Sequence, residues 1–195
     1  DDSEELERAE LYGLLARLWF APPDAALLEQ FAVAVTEAPQ SGAYLEAPWQ
    51  ALVAAMRRTS VEAAKGEYEA LFVGIGKPDI LLYGSHHLAG ALNEKPLVAL
   101  RAELGELGLA RADEITTRDE TEDHVAVIFE VMRYLIAGDD IAVCNLERHR
   151  RFFRTHLQPW VGSSLPDAVE QHREAHLYAA LAAFTRACVQ GETQG

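Results

Sequence analysis

Three carboxylates and one imidazole lie within five consecutive residues, Glu120-Thr121-Glu122-Asp123-His124. An apolar run typical of a helix follows them, and negative side chains are favoured at a helix N-terminus, so capping alone accounts for the cluster. The same acids could bind arginine side chains, because carboxylates accept charge-assisted, often bidentate hydrogen bonds from a guanidinium group. The adjacent histidine could make that binding depend on pH. The residue types alone leave both interpretations open.

A second candidate is the helical face formed by Tyr68, Leu71 and Phe72, whose spacing of three and four residues brings them to one side of a helix. Such a face by itself indicates packing in a core. Here it leads directly into the irregular segment 73–94, which contains the apolar run Ile80-Leu81-Leu82-Tyr83. A helix end that meets such a loop is a common way to form a groove for an apolar peptide. The pattern therefore predicts either a core or a peptide-binding groove.

Known signatures of enzymes are incomplete in this chain. The sequence Gly74-Ile75-Gly76-Lys77 resembles the end of a phosphate-binding loop, but Leu71 and Pro78 stand where that motif requires Gly and Ser or Thr. Ser85 is followed by two histidines, yet neighbours in sequence seldom point at each other, so the pattern does not predict a nucleophile with its base. We predict no catalytic residue and no enzymatic activity.

The pair His172 and His176 has the spacing with which two histidines can bind a metal from one face of a helix. The metalloprotease pattern requires Glu directly after the first histidine, and Arg173 stands there instead. The chain also contains no Glu-x-x-His pair, which argues against a di-iron site. We therefore predict no metal and no cofactor. A small helical metal-dependent enzyme that uses the seven histidines stays an alternative from another functional class.

Helical periodicity runs through nearly the whole chain, and strand patterns are almost absent. We predict an all-α bundle of about seven to nine helices that forms a single domain over residues 1–195. One helix is expected from about Glu122 to Ala137, the next from Asp139 or Asp140 to Leu157, and a long final helix from Pro166 to Gln190. The polar segment 109–121 connects two of these helical parts.

The charge balance restricts the classes of partner. The 195 residues include 17 Lys and Arg against 31 Asp and Glu, which gives a net charge of −14. This balance argues against nucleic acid and against anionic membrane surfaces. No apolar run approaches the ~18 residues of a membrane span, so we expect no stable membrane insertion. The acidic N-terminus is unlike a signal peptide, and Cys144 and Cys188 lie in apolar helical patterns, which favours a reducing, cytoplasmic location.

The sequence resembles the TorD/DmsD/NarJ family of cytoplasmic redox-enzyme maturation chaperones in four stretches that follow one another in the expected order. The cluster at 120–124 resembles the family motif E-P-x-D-H. The other stretches are Leu18-Trp19-Phe20-Ala21-Pro22, the block made of Glu67-Tyr68-Glu69-Ala70-Leu71-Phe72-Val73-Gly74 with Tyr83-Gly84-Ser85 and Glu94-Lys95-Pro96-Leu97, and Phe153-Arg154-Thr155-His156-Leu157-Gln158-Pro159-Trp160.

The resemblance implies an all-helical chaperone without catalytic activity. It implies that the partner is the signal peptide, or the apo catalytic subunit, of a molybdenum-cofactor oxidoreductase, which is held until the cofactor is inserted and is so kept from premature twin-arginine export. A NarJ-like chaperone for a membrane-anchored nitrate reductase is the alternative within the family. The peptide-binding residues that the resemblance and the residue types together indicate are Tyr68, Leu71, Phe72, Tyr83, Ser85, Glu120, Glu122, Asp123 and His124.

The chain departs from the family at Thr121, where proline is usual. In the family this proline stiffens a hinge that is associated with domain-swapped dimers. We therefore expect a hinge at 109–121 between an N-terminal and a C-terminal helical part, and a monomer or a domain-swapped dimer. His86 and His87 also stand where aromatic or acidic residues are common, which bears on the choice of partner.

Overall fold

The computed structural model describes residues 2–33, 42–91, 94–109 and 121–194. Helices are the regular elements of this part of the chain, and its only strand-like feature is an isolated antiparallel bridge between Tyr83 and His124. The prediction of an all-α fold is confirmed. The helices are α1 Asp2–Phe20, α2 Ala25–Val33, α3 Ala43–Arg58, α4 Val61–Tyr68, α5 Gly84–Ala89, α6 Lys95–Glu106, α7 Val125–Ala137, α8 Leu146–Phe152, α9 Gln158–Val161, α10 Ser164–Gln171 and α11 Leu177–Gln194.

Two π-helical turns extend these helices. One turn, Glu69–Val73, continues α4, and the other, Phe153–Leu157, joins α8 to α9. In a π turn each backbone hydrogen bond joins residues five positions apart, compared with four in an α-helix. Such turns are frequent at functional sites. Among the described residues, no helix is both long and apolar enough to cross a bilayer.

The chain divides into two compact units that are interleaved in sequence. The first unit combines Asp1–Trp19 with Leu82–Trp160, and the second combines Phe20–Leu81 with Val161–Gly195. Leu109 and Thr121, the two ends of the expected hinge, both belong to the first unit, and residues 110–120 lie outside the described part of the chain. The single domain and its hinge stay predictions.

In the first unit, α7 is the central helix. Nine of its residues are buried, because apolar side chains surround most of its circumference. A helix that is apolar on nearly all sides must be covered on all sides. Tyr12 of α1 covers one side, where its ring centroid lies 6.0 Å from that of Phe129, and the α8 helix with its π turn packs against another.

In the second unit, α3 and α11 form the main helix pair. Trp49 lies between Phe184 of α11, at a centroid distance of 5.3 Å, and Phe31 of α2, at 5.7 Å. Large aromatic side chains bury much apolar surface each, so these three rings are a substantial component of the core of this unit.

The two helices predicted after α7 have other boundaries in the structure. The final helix is not continuous, because α10 ends at Gln171 and α11 begins at Leu177, so that His172 and His176 lie in the connection and not on one helical face. The helix expected from Asp139 or Asp140 begins at Leu146. Its N-cap is Asn145, whose side-chain oxygen accepts a hydrogen bond from the Arg148 N–H at 3.0 Å.

Candidate functional site

The segment before α5 and the segment before α7 are joined by two backbone hydrogen bonds. The Gly84 N–H donates to the Asp123 carbonyl at 3.0 Å, and the Val125 N–H donates to the Leu82 carbonyl at 2.9 Å. The Tyr83 and His124 rings meet nearly at a right angle, with centroids 5.3 Å apart. This pairing brings together five residues predicted as a binding site, which we call the α7-start cluster: Tyr83, Ser85, Glu122, Asp123 and His124.

Asp123 holds the α7-start cluster together. The residue is 3% exposed, one carboxylate oxygen accepts a hydrogen bond from the Ser85 backbone N–H at 2.9 Å, and the other accepts one from the Thr121 hydroxyl. A buried carboxylate needs such donors, because removing it from water without them is costly. Asp123 therefore connects the start of α5 to the start of α7 through its side chain as well as its backbone.

Glu122 already binds an arginine of this chain. Its carboxylate accepts a hydrogen bond from Arg101 Nε of α6 at 2.5 Å, and the Glu122 side chain is 4% exposed whereas that of Arg101 is 51% exposed. The pair shows that this position can bind a guanidinium group. The sequence pattern identified the acid but gave no sign of its partner 21 residues earlier. The other predicted acid, Glu120, lies outside the described residues.

His124 is the N-cap of α7, which begins at Val125 and not at Glu122 as expected. Its ring atom Nδ1 accepts a hydrogen bond from the Ala126 N–H at 3.1 Å, so this nitrogen carries no proton. Burial lowers the pKa of His124 to about 4, against the opposing influence of the Asp123 charge. The backbone bridge to Tyr83 explains the later helix start, because it keeps His124 out of the helical conformation.

We expect acid to destabilise the protein through His124. Its folded-state pKa of about 4 lies below the ordinary value of 6.5, so its contribution to stability is complete above pH 6.5 and is lost as the pH falls toward 4. His124→Asn keeps an acceptor at the cap and should flatten the decline of the urea midpoint between these pH values. His176→Asn, at an exposed histidine, should leave the decline unchanged. A decline of wild-type steepness in His124→Asn would contradict the assignment.

The surroundings of the α7-start cluster are aromatic. The His87 ring stacks on Trp160 at a centroid distance of 5.1 Å, and a Cβ atom at Gly84 would lie only 3.0 Å from the indole, so glycine permits this close approach. The Trp160 indole N–H donates to the His156 carbonyl at 2.7 Å. Ser85 is 1% exposed, and its hydroxyl has no hydrogen-bond partner among the described residues. Sequence reasoning did not assign Trp160 to this region, although its block carried the family resemblance.

In the second unit, the face of Tyr68, Leu71 and Phe72 packs against α11. Leu71 and Phe72 are buried and Tyr68 is half-buried. The Tyr178 ring lies 5.9 Å from that of Tyr68 and 5.2 Å from that of Phe72. The three residues thus form part of the core of this unit, and only Tyr68 reaches the surface to a substantial extent.

Glu67, directly before this face, caps α11. Its carboxylate accepts hydrogen bonds from the backbone N–H groups of His176, Leu177 and Tyr178 at 3.1, 3.1 and 2.7 Å. A carboxylate at a helix N-terminus also interacts favourably with the macrodipole. An open cleft of about 450 Å³ lies beside this cap. Its lining includes Arg58 and Arg173.

The described residues contain no group of three or more His, Cys, Asp or Glu side chains arranged to hold a metal ion. His172 Nε2 lies 2.8 Å from an Asp79 carboxylate oxygen, and the His172 Nδ1 accepts a hydrogen bond from the Glu174 N–H at 3.1 Å. Both ring nitrogens are therefore engaged within the second unit. His176 lies apart from this contact, at the Glu67 cap.

The sequence-predicted residues thus fall into two sets. The α7-start cluster is assembled in the first unit, and Tyr68, Leu71 and Phe72 are assembled in the second. A search of curated proteins found no match to the chain. A family model described as "Nitrate reductase delta subunit" matches residues 39–165, which is well over half of the chain and includes both sets. The resemblance to the TorD/DmsD/NarJ chaperones is thereby confirmed, and the chain belongs to the nitrate reductase delta subunit family.

Proposed function

We propose that this protein is an assembly chaperone for a molybdenum-cofactor oxidoreductase. In this proposal it binds the signal peptide, or another apolar segment, of the catalytic subunit, and holds it in the cytoplasm until the cofactor is inserted, so that twin-arginine export does not occur too early. The family match over residues 39–165 is the observation that carries the proposal. Because the family description names nitrate reductase, a membrane-anchored nitrate reductase is the second candidate client.

We further propose distinct roles for the members of the α7-start cluster. Asp123 and His124 are buried and engaged in hydrogen bonds within the cluster, which supports a positioning role for both. Tyr83 is half-buried and offers an aromatic edge at the surface. Glu122 is the acid with a guanidinium already bound, which supports it as the residue that binds a peptide arginine.

In the second unit, the proposal assigns the apolar contact to the surface around Tyr68. Leu71 and Phe72 are buried beneath it, so they would act by holding the tyrosine ring and the segment that follows the π turn. The α7-start cluster and the surface around Tyr68 are proposed as two separate contacts with the client.

In this proposal Arg101 competes with the client. A peptide arginine can reach Glu122 only if Arg101 leaves it, so Arg101→Gln is expected to tighten binding of a synthetic twin-arginine signal peptide by about fivefold. Glu122→Gln is expected to weaken the binding by a similar factor. Fluorescence anisotropy of the labelled peptide measures both effects. A twin-lysine version of the peptide should respond less, because lysine does not form the bidentate pair.

Arg133→Gln is the matched control for Arg101→Gln. Arg133 forms an ion pair with Glu130 on α7 in which both side chains are partly exposed, so the substitution removes the same charge and a similar contact. Its effect on peptide affinity should stay within about twofold. Equal tightening by Arg101→Gln and Arg133→Gln would show that only net charge matters, and it would remove Glu122 from the proposed site.

The client itself is tested by copurification from the native host. We expect a molybdoenzyme catalytic subunit that lacks its cofactor. A subunit with a twin-arginine signal supports the export-control proposal, and a nitrate reductase subunit without such a signal supports the second candidate. Reproducible recovery of unrelated proteins alone would contradict both.

A further inference from the structure

A strongly basic surface stands out on this acidic protein. Four of its 17 Lys and Arg residues lie within seven positions of α8 and the following π turn, namely Arg148, Arg150, Arg151 and Arg154. The chain as a whole has a net charge of −14. Like charges at spacings of three and four residues on a helix repel one another, so this arrangement has a cost in stability when nothing compensates it.

Two of these arginines have a buried acid nearby. The hydrogen bond from the His156 ring and the charges of Arg151 and Arg148 together hold the pKa of Glu103 below its ordinary value. Arg150 and Arg154 differ from them. Both are exposed, and neither forms an ion pair with another residue in the described ranges.

Arg150 and Arg154 line an open cleft of about 600 Å³ on this surface, together with Leu146, Glu147, Arg151 and Thr155. The two arginines are separated by four residues, or about one helical turn. One apolar side chain of the same cleft is Leu146, which is 48% exposed. The surface therefore combines paired guanidinium groups with an exposed aliphatic side chain. We call it the arginine surface.

We propose that the arginine surface docks an acidic amphipathic helix of a partner protein. Carboxylates one helical turn apart on that helix match the spacing of Arg150 and Arg154, and an aliphatic residue on the same face matches Leu146. Guanidinium groups form the most specific ion pairs with carboxylates, because their planar donors fit the two oxygens. This goes beyond the proposed function, since a basic signal peptide would be repelled here.

The net charge of the protein makes the arginine surface selective. The protein has a net charge of −14 and repels an acidic peptide at long range. The rest of the protein surface therefore does not attract such a peptide. Binding therefore requires the local positive field of the arginines and close contact with them.

The test uses a fluorescein-labelled 20-residue helical peptide with glutamates four residues apart and leucines on the same face. We expect the full-length wild type to bind it, and Arg150→Glu/Arg154→Glu to weaken binding at least tenfold at low salt. The control is Arg58→Glu/Arg173→Glu in the second unit, which changes the net charge equally at two exposed arginines and should alter affinity by less than about threefold.

Two outcomes would overturn the proposal. The first is an equal loss in the control variant, and the second is the absence of peptide binding by wild type. In the second case, binding of wild type to phosphatidylglycerol vesicles would assign the surface to lipid. Circular dichroism checks the fold, and Arg150→Gln/Arg154→Gln replaces the charge reversal if that variant does not fold. Neither Arg150→Glu/Arg154→Glu nor Arg150→Gln/Arg154→Gln should lower the affinity for the twin-arginine peptide. Failure of the arginine-surface proposal is therefore distinct from failure of the proposed function.

Discussion

Glu67→Ala is expected to lower the free energy of unfolding by about 2–4 kcal/mol. The carboxylate accepts hydrogen bonds from three consecutive N–H groups at the start of α11, and these groups lose their partner in the variant. Hydrogen bonds to a charged acceptor contribute more than neutral ones, and the helix macrodipole adds a smaller favourable contribution. Urea denaturation measures the global effect.

Hydrogen exchange localises the effect of Glu67→Ala. The amides of His176, Leu177 and Tyr178 should exchange faster than in wild type, whereas amides in the middle of α3 should change less. Glu69→Ala removes the same type of side chain two residues further on, where it is exposed, and should cost less than about 0.5 kcal/mol. Equal destabilisation by the two substitutions would mean that the cap does not stabilise α11.

Asp123→Ala is expected to have an effect of similar size in the first unit, about 2–4 kcal/mol. The substitution leaves the Ser85 N–H without its acceptor at a buried position, and the partly buried Thr121 hydroxyl also loses its acceptor. A buried donor without a partner costs the free energy of its desolvation, which is why the loss exceeds that of a surface hydrogen bond. Thermal or urea unfolding with the exposed Asp139→Ala as control measures it.

The size of the Asp123 effect also determines how binding experiments are interpreted. A loss of peptide affinity in Asp123→Ala/His124→Ala would follow from a disordered α7-start cluster as well as from lost contacts. Affinity measured beside the urea midpoint separates these causes. A decrease below about 1 kcal/mol in Asp123→Ala would contradict the positioning role and would favour direct contact with the client.

The helical class of the fold and the family both follow from the amino-acid sequence alone. The run from Val125 to Ile136 is apolar around most of a helix, so α7 had to be a buried helix whatever packs against it. The four stretches that resemble the chaperone family were recognisable because they are continuous in sequence. Helical periodicity and continuous motifs depend on residues that are neighbours in sequence, so they can be recognised without knowledge of the fold.

The intramolecular partners of the candidate residues, in contrast, depend on the tertiary structure. The apolar pattern near His172 does not indicate a helix end. The helix is interrupted there, and Glu67, more than a hundred residues earlier in the chain, caps the N-terminus of the next helix. Likewise, no local pattern in the sequence indicates the ion pair between Glu122 and Arg101 of α6. Capping and ion pairing between distant residues depend on distances of a few ångströms, which hydrophobic periodicity does not encode. The α7-start cluster was therefore predictable in its members, whereas the partners of its acids were determined by the fold.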